Sequence, residues 1–195
     1  MSLLLVWLWN PGEEYRHTRH NAWRIVCSSR ARDQSEQWGG AWTLRPLKRV
    51  SSLQGRLSQW SIDLWDACYR VAIYFPWSYM NVSWPWTLKA MEYVWASIEQ
   101  TLIVYDDADI PQWTTKLKLW WSHWGHNGLR DIFQKAWTNT FARLKCWIGR
   151  PSHPAAGLKD YVLWTMRGEE LDQWVIRPEG TDEKIQQWMI TTGYR

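Results

Sequence analysis

The stretch Leu3-Leu4-Leu5-Val6-Trp7-Leu8-Trp9-Asn10-Pro11-Gly12 reads as a buried strand that runs into a tight turn. Seven apolar residues in a row without alternation suit a strand covered on both faces. Asn10-Pro11-Gly12 then supplies the turn chemistry. The run is too short to cross a bilayer and no basic segment precedes it, so no membrane association is expected. Similar apolar runs follow at Arg70–Phe75 (RVAIYF) and Thr101–Tyr105 (TLIVY). Between them Leu88, Met91, Val94, Trp95 and Ile98 have helical spacing, which predicts a helix over Thr87–Gln100. A helix is expected to start near Asn21, and another over Gly128–Ala136 with Asn127 as its N-cap. Arg143–Ile148 and Tyr161–Leu163 are further strand candidates, and Glu169–Ile190 is expected to be helical. Residues 33–66 carry the weakest pattern.

Strands alternating with helices predict an α/β fold: a single domain over residues 1–195, with a twisted, mostly parallel mixed β-sheet flanked by helices. A chain of 195 residues with 46% hydrophobic and 22% charged residues can build one core and is not disordered. Formal charge is +4. Between Lys116 and Arg150 stand seven basic residues and one acid, against five basic and seven acidic residues from 151 to 195. The basic middle fits phosphate contacts, although a solvated face accounts for the charge equally well. Cys27, Cys68 and Cys146 include no C-x-x-C pair, so buried, reduced thiols are expected.

Four segments gather polar residues after strands, where α/β proteins collect their chemistry. They are Asn10 to Asn21, Pro76 to Ser83, Asp106 to Pro111 and His123 to Asp131. A histidine can take a proton from water near neutral pH, and a carboxylate on its other nitrogen sets the tautomer. Asparagine amides can steady a carbonyl as it gains charge. No serine or cysteine stands in a nucleophile elbow, so attack by water on an activated acyl bond is favoured. His123 and His126, at i and i+3, could instead be metal ligands, and Asp106, Asp107 and Asp109 a solvated acidic loop. Residue types alone support no more than a hydrolase.

Together these segments resemble the bacterial peptidyl-tRNA hydrolase family from about Leu3 to Leu163. The family pattern G-L-x-N-P-G-x-x-Y-x-x-T-R-H-N-x-G meets Trp7 to Trp23, and P-x-x-Y/F-M-N-x-S-G meets Pro76 to Trp84. D-x-x-D-x-P-x-G meets Asp106 to Trp113, a glycine-rich loop ending H-N-G-L-R-D meets Trp120 to Asp131, and R-L-x-x-G-I-G-R-P meets Arg143 to Pro151. The resemblance implies hydrolysis of the ester between peptide and tRNA, recycling the tRNA, in the cytoplasm, by a monomer needing no metal or cofactor. It implies His20 as the general base and Asp106 as the acid that orients it. Asn10, Tyr15, Tyr79, Asn81 and Asn127 would bind the tRNA acceptor end and the nascent peptide, with Met80 also lining the cleft. Lys118, Arg130, Arg143 and Lys145 would contact phosphates.

The departures from the family are systematic. Trp7, Trp9, Trp23, Trp84, Trp113, Trp120, Trp121, Trp124, Trp147 and Trp164 all stand where the family has glycine, in a chain with 20 Trp and 11 Gly. Random drift would not spare the Asn, His and Asp set. Glycine GGA and UGA differ by one base, and genetic codes differ in reading UGA as glycine or tryptophan, so the pattern is that of glycine codons read as tryptophan. Two rival functions remain. With glycine at 7 and 9 the first turn becomes G-L-G-N-P-G, a dinucleotide fingerprint with Asp33 downstream, but Pro11 removes an N–H that a pyrophosphate would need. A non-catalytic RNA-binding relative of the splicing-factor type would keep the basic surface without turnover, and the intact polar set argues against it. The gene is expected to carry UGA at most of the ten positions; UGG at most of them would end the coding reading.

Overall fold

The computed structural model describes residues 1–22, 24, 47–64, 67–110, 114–119, 126–138, 140–151, 157–173 and 180–193. Trp23, Cys27, Asp33, Trp113, Trp120, Trp121, His123 and Trp124 lie outside the described residues.

Among the described residues, seven strands form one mixed sheet: β1 (Ser2–Trp7), β2 (Lys48–Val50), β3 (Gly55–Leu64), β4 (Ala67–Pro76), β5 (Thr101–Asp107), β6 (Thr115–Lys118) and β7 (Ala142–Trp147), in the order β2-β3-β4-β1-β5-β7-β6. The centre is parallel, with β1 between β4 and β5 and β7 beyond β5. The margins are antiparallel, through β2–β3 and β3–β4 on one side and β6–β7 on the other. The α/β architecture read from the sequence is therefore present. Of its strands, β2, β3 and β6 had no clear signal.

The lack of alternation in β1 has a direct cause. Leu3, Leu5 and Trp7 enter the hydrophobic cluster on one face, while Leu4, Val6 and Leu8 enter the cluster on the other. Each such buried side chain contributes about 1.5–3 kcal/mol, so polar residues at alternate positions would be unaffordable here. Helices α1 (Ser83–Val94) and α2 (Asn127–Ala136) cover the Leu4 face through Ala90, Met91, Val94, Leu129 and Ile132. Helix α5 (Thr181–Gly193) covers the Leu3 face with Ile185, Trp188 and Met189. Between them lie the short helices α3 (Leu158–Leu163) and α4 (Glu169–Gln173).

Several expectations are corrected. Helix α1 starts four residues earlier than periodicity predicts and ends at Val94. Trp95 adopts φ 59°, its N–H bonds to the Glu92 carbonyl, and the Ala96 N–H bonds to the Met91 carbonyl. That pair of bonds closes a Schellman motif and stops the helix before Ile98. Tyr161–Leu163 forms the end of α3, not a strand, since three apolar residues carry no period that separates the two states. Among the described residues the tail contains two helices. The helix expected near Asn21 begins as a 3₁₀ turn, Arg19–Asn21. Cys146 is buried as expected, but Cys68 is exposed.

The tryptophans sit uneasily. Trp7 stacks on Phe75 with centroids 5.4 Å apart. Yet the indole N–H groups of Trp7, Trp9, Trp60 and Trp188 are buried with no hydrogen-bond partner among the described residues. Each such group costs about 1–3 kcal/mol. Trp95 and Trp137 are the C-terminal neighbours of α1 and α2, both left-handed (φ 59° and 53°). Their side chains are 84% and 93% exposed. Glycine normally holds such positions, because a Cβ there costs roughly 1–2 kcal/mol. Trp95→Gly and Trp137→Gly should therefore each stabilise the fold by about 1 kcal/mol, which thermal unfolding would read as a Tm about 2–4 °C higher; a lower Tm in both would contradict the strain.

Candidate active site

The polar segments converge because the parallel strands deliver their C-terminal ends to one edge of the sheet. Asn10 lies just past β1, Tyr79 and Asn81 just past β4, and Asp106 near the end of β5. His20 comes from the 3₁₀ turn Arg19–Asn21, which follows the Asn10-Pro11-Gly12 turn where Gly12 takes φ 119°. Asn10, Tyr15, His20, Tyr79, Met80, Asn81, Asp106, His126, Asn127 and Arg130 line a single cleft of about 590 Å³.

Asp106 is the electrostatic centre. Its Oδ1 accepts from His20 Nδ1 at 2.7 Å and from His126 Nε2 at 3.2 Å. The His126 tautomer follows from its other nitrogen: Nδ1 accepts the Leu129 N–H at 3.3 Å, so Nε2 carries the proton. For His20, the Nδ1–H points at the carboxylate and Nε2 keeps its lone pair for the cleft. Burial lowers the basicity of His20, but the Asp106 charge and hydrogen bond outweigh it and hold the imidazole pKa above 6.5. Burial likewise pushes Asp106 upward, and the His20 charge with hydrogen bonds from both rings overcomes it, leaving the carboxyl well below the usual carboxylate range. Among the described residues, the group able to hold a metal ion is His20, Asp106 and His126, whose ligating atoms lie within 4.8 Å of one another. His126 thus joins Asp106, and His123, with which it was an alternative metal pair, is outside the described residues.

The asparagines are set by local bonds. Asn21, from the same turn as His20, accepts the Asn10 N–H at 2.8 Å and donates to the Asn10 and Tyr15 carbonyls, both at 2.8 Å. Asn10 Oδ1 accepts the Met80 N–H at 3.0 Å, which leaves its Nδ2 donors to the cleft. Because His126 caps α2, Asn127 is the first helical residue and its amide is not spent on capping. Gly128 makes the approach possible: a Cβ there would stand 2.8 Å from Leu8 Cδ1 and 3.2 Å from the Met80 carbonyl oxygen. Asp131, three residues on, accepts the Trp84 N–H at 2.7 Å and anchors the first turn of α1. Tyr15 and Tyr79 meet edge to face across the cleft at 6.1 Å.

The expected phosphate contacts divide. Arg130 is exposed and lines the cleft, and Lys118 is half-buried at the end of β6. Arg143 is corrected: it is 1% exposed, with its guanidinium 5.4 Å from the Phe133 centroid and 5.7 Å from that of Phe141, so no phosphate can reach it. Lys145 is largely buried and bonded to Asp107 at 2.5 Å, and Arg150 pairs with Asp109. Asp107 is therefore bound to the basic strand, whereas Asp109 and Arg150 pair in solvent beyond it. Two residues were missed by sequence reasoning, His126 as a partner of Asp106 and Asn21 as the brace of Asn10; both lie inside the segments first singled out.

The family model for "Peptidyl-tRNA hydrolase" matches residues 4–191. A peptidyl-tRNA hydrolase of Marinobacter nauticus is 33% identical over 171 residues, covering 88% of this chain and 80% of that protein. One from a Marinomonas species is 37% identical over 161 residues, covering 82% and 76%. The crystal structure of peptidyl-tRNA hydrolase from Acinetobacter baumannii superposes with a TM-score of 0.67 at 26% identity, covering 97% of this chain and 93% of that one.

The His20–Asp106 geometry has a direct readout. NMR titration of the His20 ring should give a pKa above 6.5, and Asp106→Asn should bring it below 6.5, since burial alone then acts on the ring. An unchanged or higher value in the variant would contradict the coupling.

Proposed function

Since the chain belongs to the peptidyl-tRNA hydrolase family and hydrolyses peptidyl-tRNA, we propose that His20 is the general base that activates the attacking water. The observation that carries this reading is the shared Asp106 oxygen, 2.7 Å from His20 Nδ1 and 3.2 Å from His126 Nε2. With Nδ1–H committed to Asp106, Nε2 takes a proton from water as the oxygen bonds to the ester carbonyl carbon. The carbonyl becomes a tetrahedral oxyanion. Neutral amide donors suit it, and Asn10 Nδ2 has its orientation fixed through Met80. Collapse breaks the bond to the terminal ribose, and the His20 imidazolium returns its proton to the leaving ribose oxygen. One water is consumed, and a peptide acid and a tRNA hydroxyl are released.

Asp106 does not take the proton in this scheme. Its depressed pKa keeps it ionised, so it stabilises the imidazolium instead. His126 acts through Asp106 by holding its carboxylate in place against His20. Asn81 and Asn127, at opposing sides of the close approach made by Gly128, are suited to grip the peptide backbone and the RNA end. Tyr15 and Tyr79 offer aromatic faces at the same cleft. Arg130 and Lys118 are the basic residues of the 116–150 stretch suited to the acceptor phosphates. The same reading has one domain working as a monomer in the cytoplasm. No observation favours the non-catalytic RNA-binding alternative.

His20→Ala should lower the rate of peptidyl-tRNA hydrolysis by two or more orders of magnitude while tRNA binding largely persists. A proportional fall in both would remove His20 from the base role. In the parent protein, kcat/KM should fall about tenfold per pH unit below the His20 pKa, which stands above 6.5, because only neutral imidazole accepts the proton. A profile flat down to pH 5 would equally exclude it.

A further inference from the structure

The turn that presents His20 also carries Arg19, a charged residue that the hydrolytic scheme does not use. Its side chain is only 10% exposed and reaches the segment that follows β7. There it pairs with Glu170 of α4, donates from Nη1 to the Tyr161 carbonyl at 3.4 Å, and sets its guanidinium 4.2 Å from the centre of the Tyr161 ring. A planar fork makes these three contacts at once, which a compact ammonium group does not. Tyr161 in turn donates its hydroxyl to the Ile148 carbonyl at 3.2 Å, just past the end of β7. Helix α3 depends on such ties. It has six residues, none of them buried, and no side chain caps its start. A helix that short is marginal without tertiary contacts. Yet Leu158, Lys159, Val162 and Leu163 of α3 line the cleft, whereas Arg19, Tyr161 and Glu170 do not. Beyond α3 the chain is joined to the catalytic turn again, by the Thr18–Thr165 bridge and by the Met166 N–H, which donates to the His17 carbonyl at 2.8 Å.

We propose that Arg19 is a positioning residue for substrate binding, which acts through Tyr161 and Glu170 to hold α3 in place as a wall of the cleft. His20 is aimed by Asp106, and Asn21 ties the turn to Asn10, so the base keeps its orientation without the Arg19 side chain. What Arg19 adds is the placement of Leu158 and Val162. An apolar wall strengthens binding when it is already held where the substrate meets it; a loose one must first be ordered, which weakens binding. The effect therefore falls on KM and not on the chemical step. Glu170 keeps the buried guanidinium paired, and its own side chain is 41% exposed, so its charge can be removed without opening the core. The inference rests on the hydrolase reading above, because its readout is turnover of peptidyl-tRNA.

The test measures kcat, KM and Tm for Glu170→Gln, Arg19→Lys, Leu158→Ala and the double variant L158A/E170Q, with peptidyl-tRNA as substrate. E170Q and R19K should each raise KM about fivefold with kcat within about twofold, as loss of one charge-assisted contact that serves binding alone would give. L158A should raise KM as well, because it removes the contact that the wall itself makes. In the double variant KM should stay within about twofold of L158A alone, since Arg19 then has little left to hold against the substrate. Glu170 and Leu158 are both at the surface, so E170Q and the double variant decide the matter even where R19K does not fold. A fall in kcat beyond about twofold in E170Q would place the effect on His20 and overturn the proposal, whatever KM does. A lower Tm with both kinetic constants unmoved would make the ion pair structural only and overturn it too. So would an unmoved KM in L158A, or a double variant in which the two KM increases multiply. Failure of the parent protein to cleave peptidyl-tRNA would instead overturn the functional reading, and this inference with it.

Discussion

Two imidazole N–H groups converge on one oxygen of Asp106 at the buried end of β5, at 2.7 and 3.2 Å. A buried carboxylate without partners would neutralise itself by taking up a proton. Here both rings donate to it, so it stays charged, and its charge in turn raises the basicity of His20. The arrangement demands three independent placements. β5 must carry Asp106 to the edge of the sheet, the turn after β1 must bring His20 back over it, and the N-terminus of α2 must present His126. Each placement uses a different part of the core, so the site depends on the whole sheet.

The remaining polar residues of the same segments support that geometry more than they face the substrate. Asn21 braces the Asn10 backbone, Asp131 holds the first turn of α1, and Asp107 and Asp109 bind Lys145 and Arg150. Arg19, adjacent to His20, pairs with Glu170 and packs over the Tyr161 ring at 4.2 Å, fixing α3 against the cleft. A motif that looks uniformly functional in sequence thus divides into groups that meet the substrate and groups that hold those groups in register. This division explains why Arg143 and Lys145 are not equivalent to Arg130, although all three lie in one basic stretch.

The tryptophans bear on how the chain tolerates its own sequence. Trp95 and Trp137 complete helix ends in a conformation suited to glycine, and both do so with the ring in solvent, where size costs nothing. Trp7 and Trp9, at positions where the family has glycine, are accommodated inside, at the expense of indole N–H groups with no partner among the described residues. Stacking on Phe75 recovers part of that cost for Trp7.

Local pattern determined the elements whose residues announce their surroundings. The unbroken apolar run of β1 could only be a strand covered on both faces, and the cores of β4 and β5 were legible for the same reason, whereas β7 was read as a strand although Arg143 and Lys145 interrupt its apolar residues. The order of the Asn, His and Asp segments identified the family and therefore its chemistry. What the sequence could not determine was anything decided by a distant contact. β2 and β3 lie at the margin, half in solvent, where no single period is enforced. The three apolar residues at Tyr161–Leu163 became helix under the packing of Arg19. His126 rather than Asn127 became the cap, because only in three dimensions does its other nitrogen find Asp106, 20 residues away in the chain. Burial of Arg143 likewise follows from which side of the sheet its strand turns to the core, a choice the tertiary fold makes.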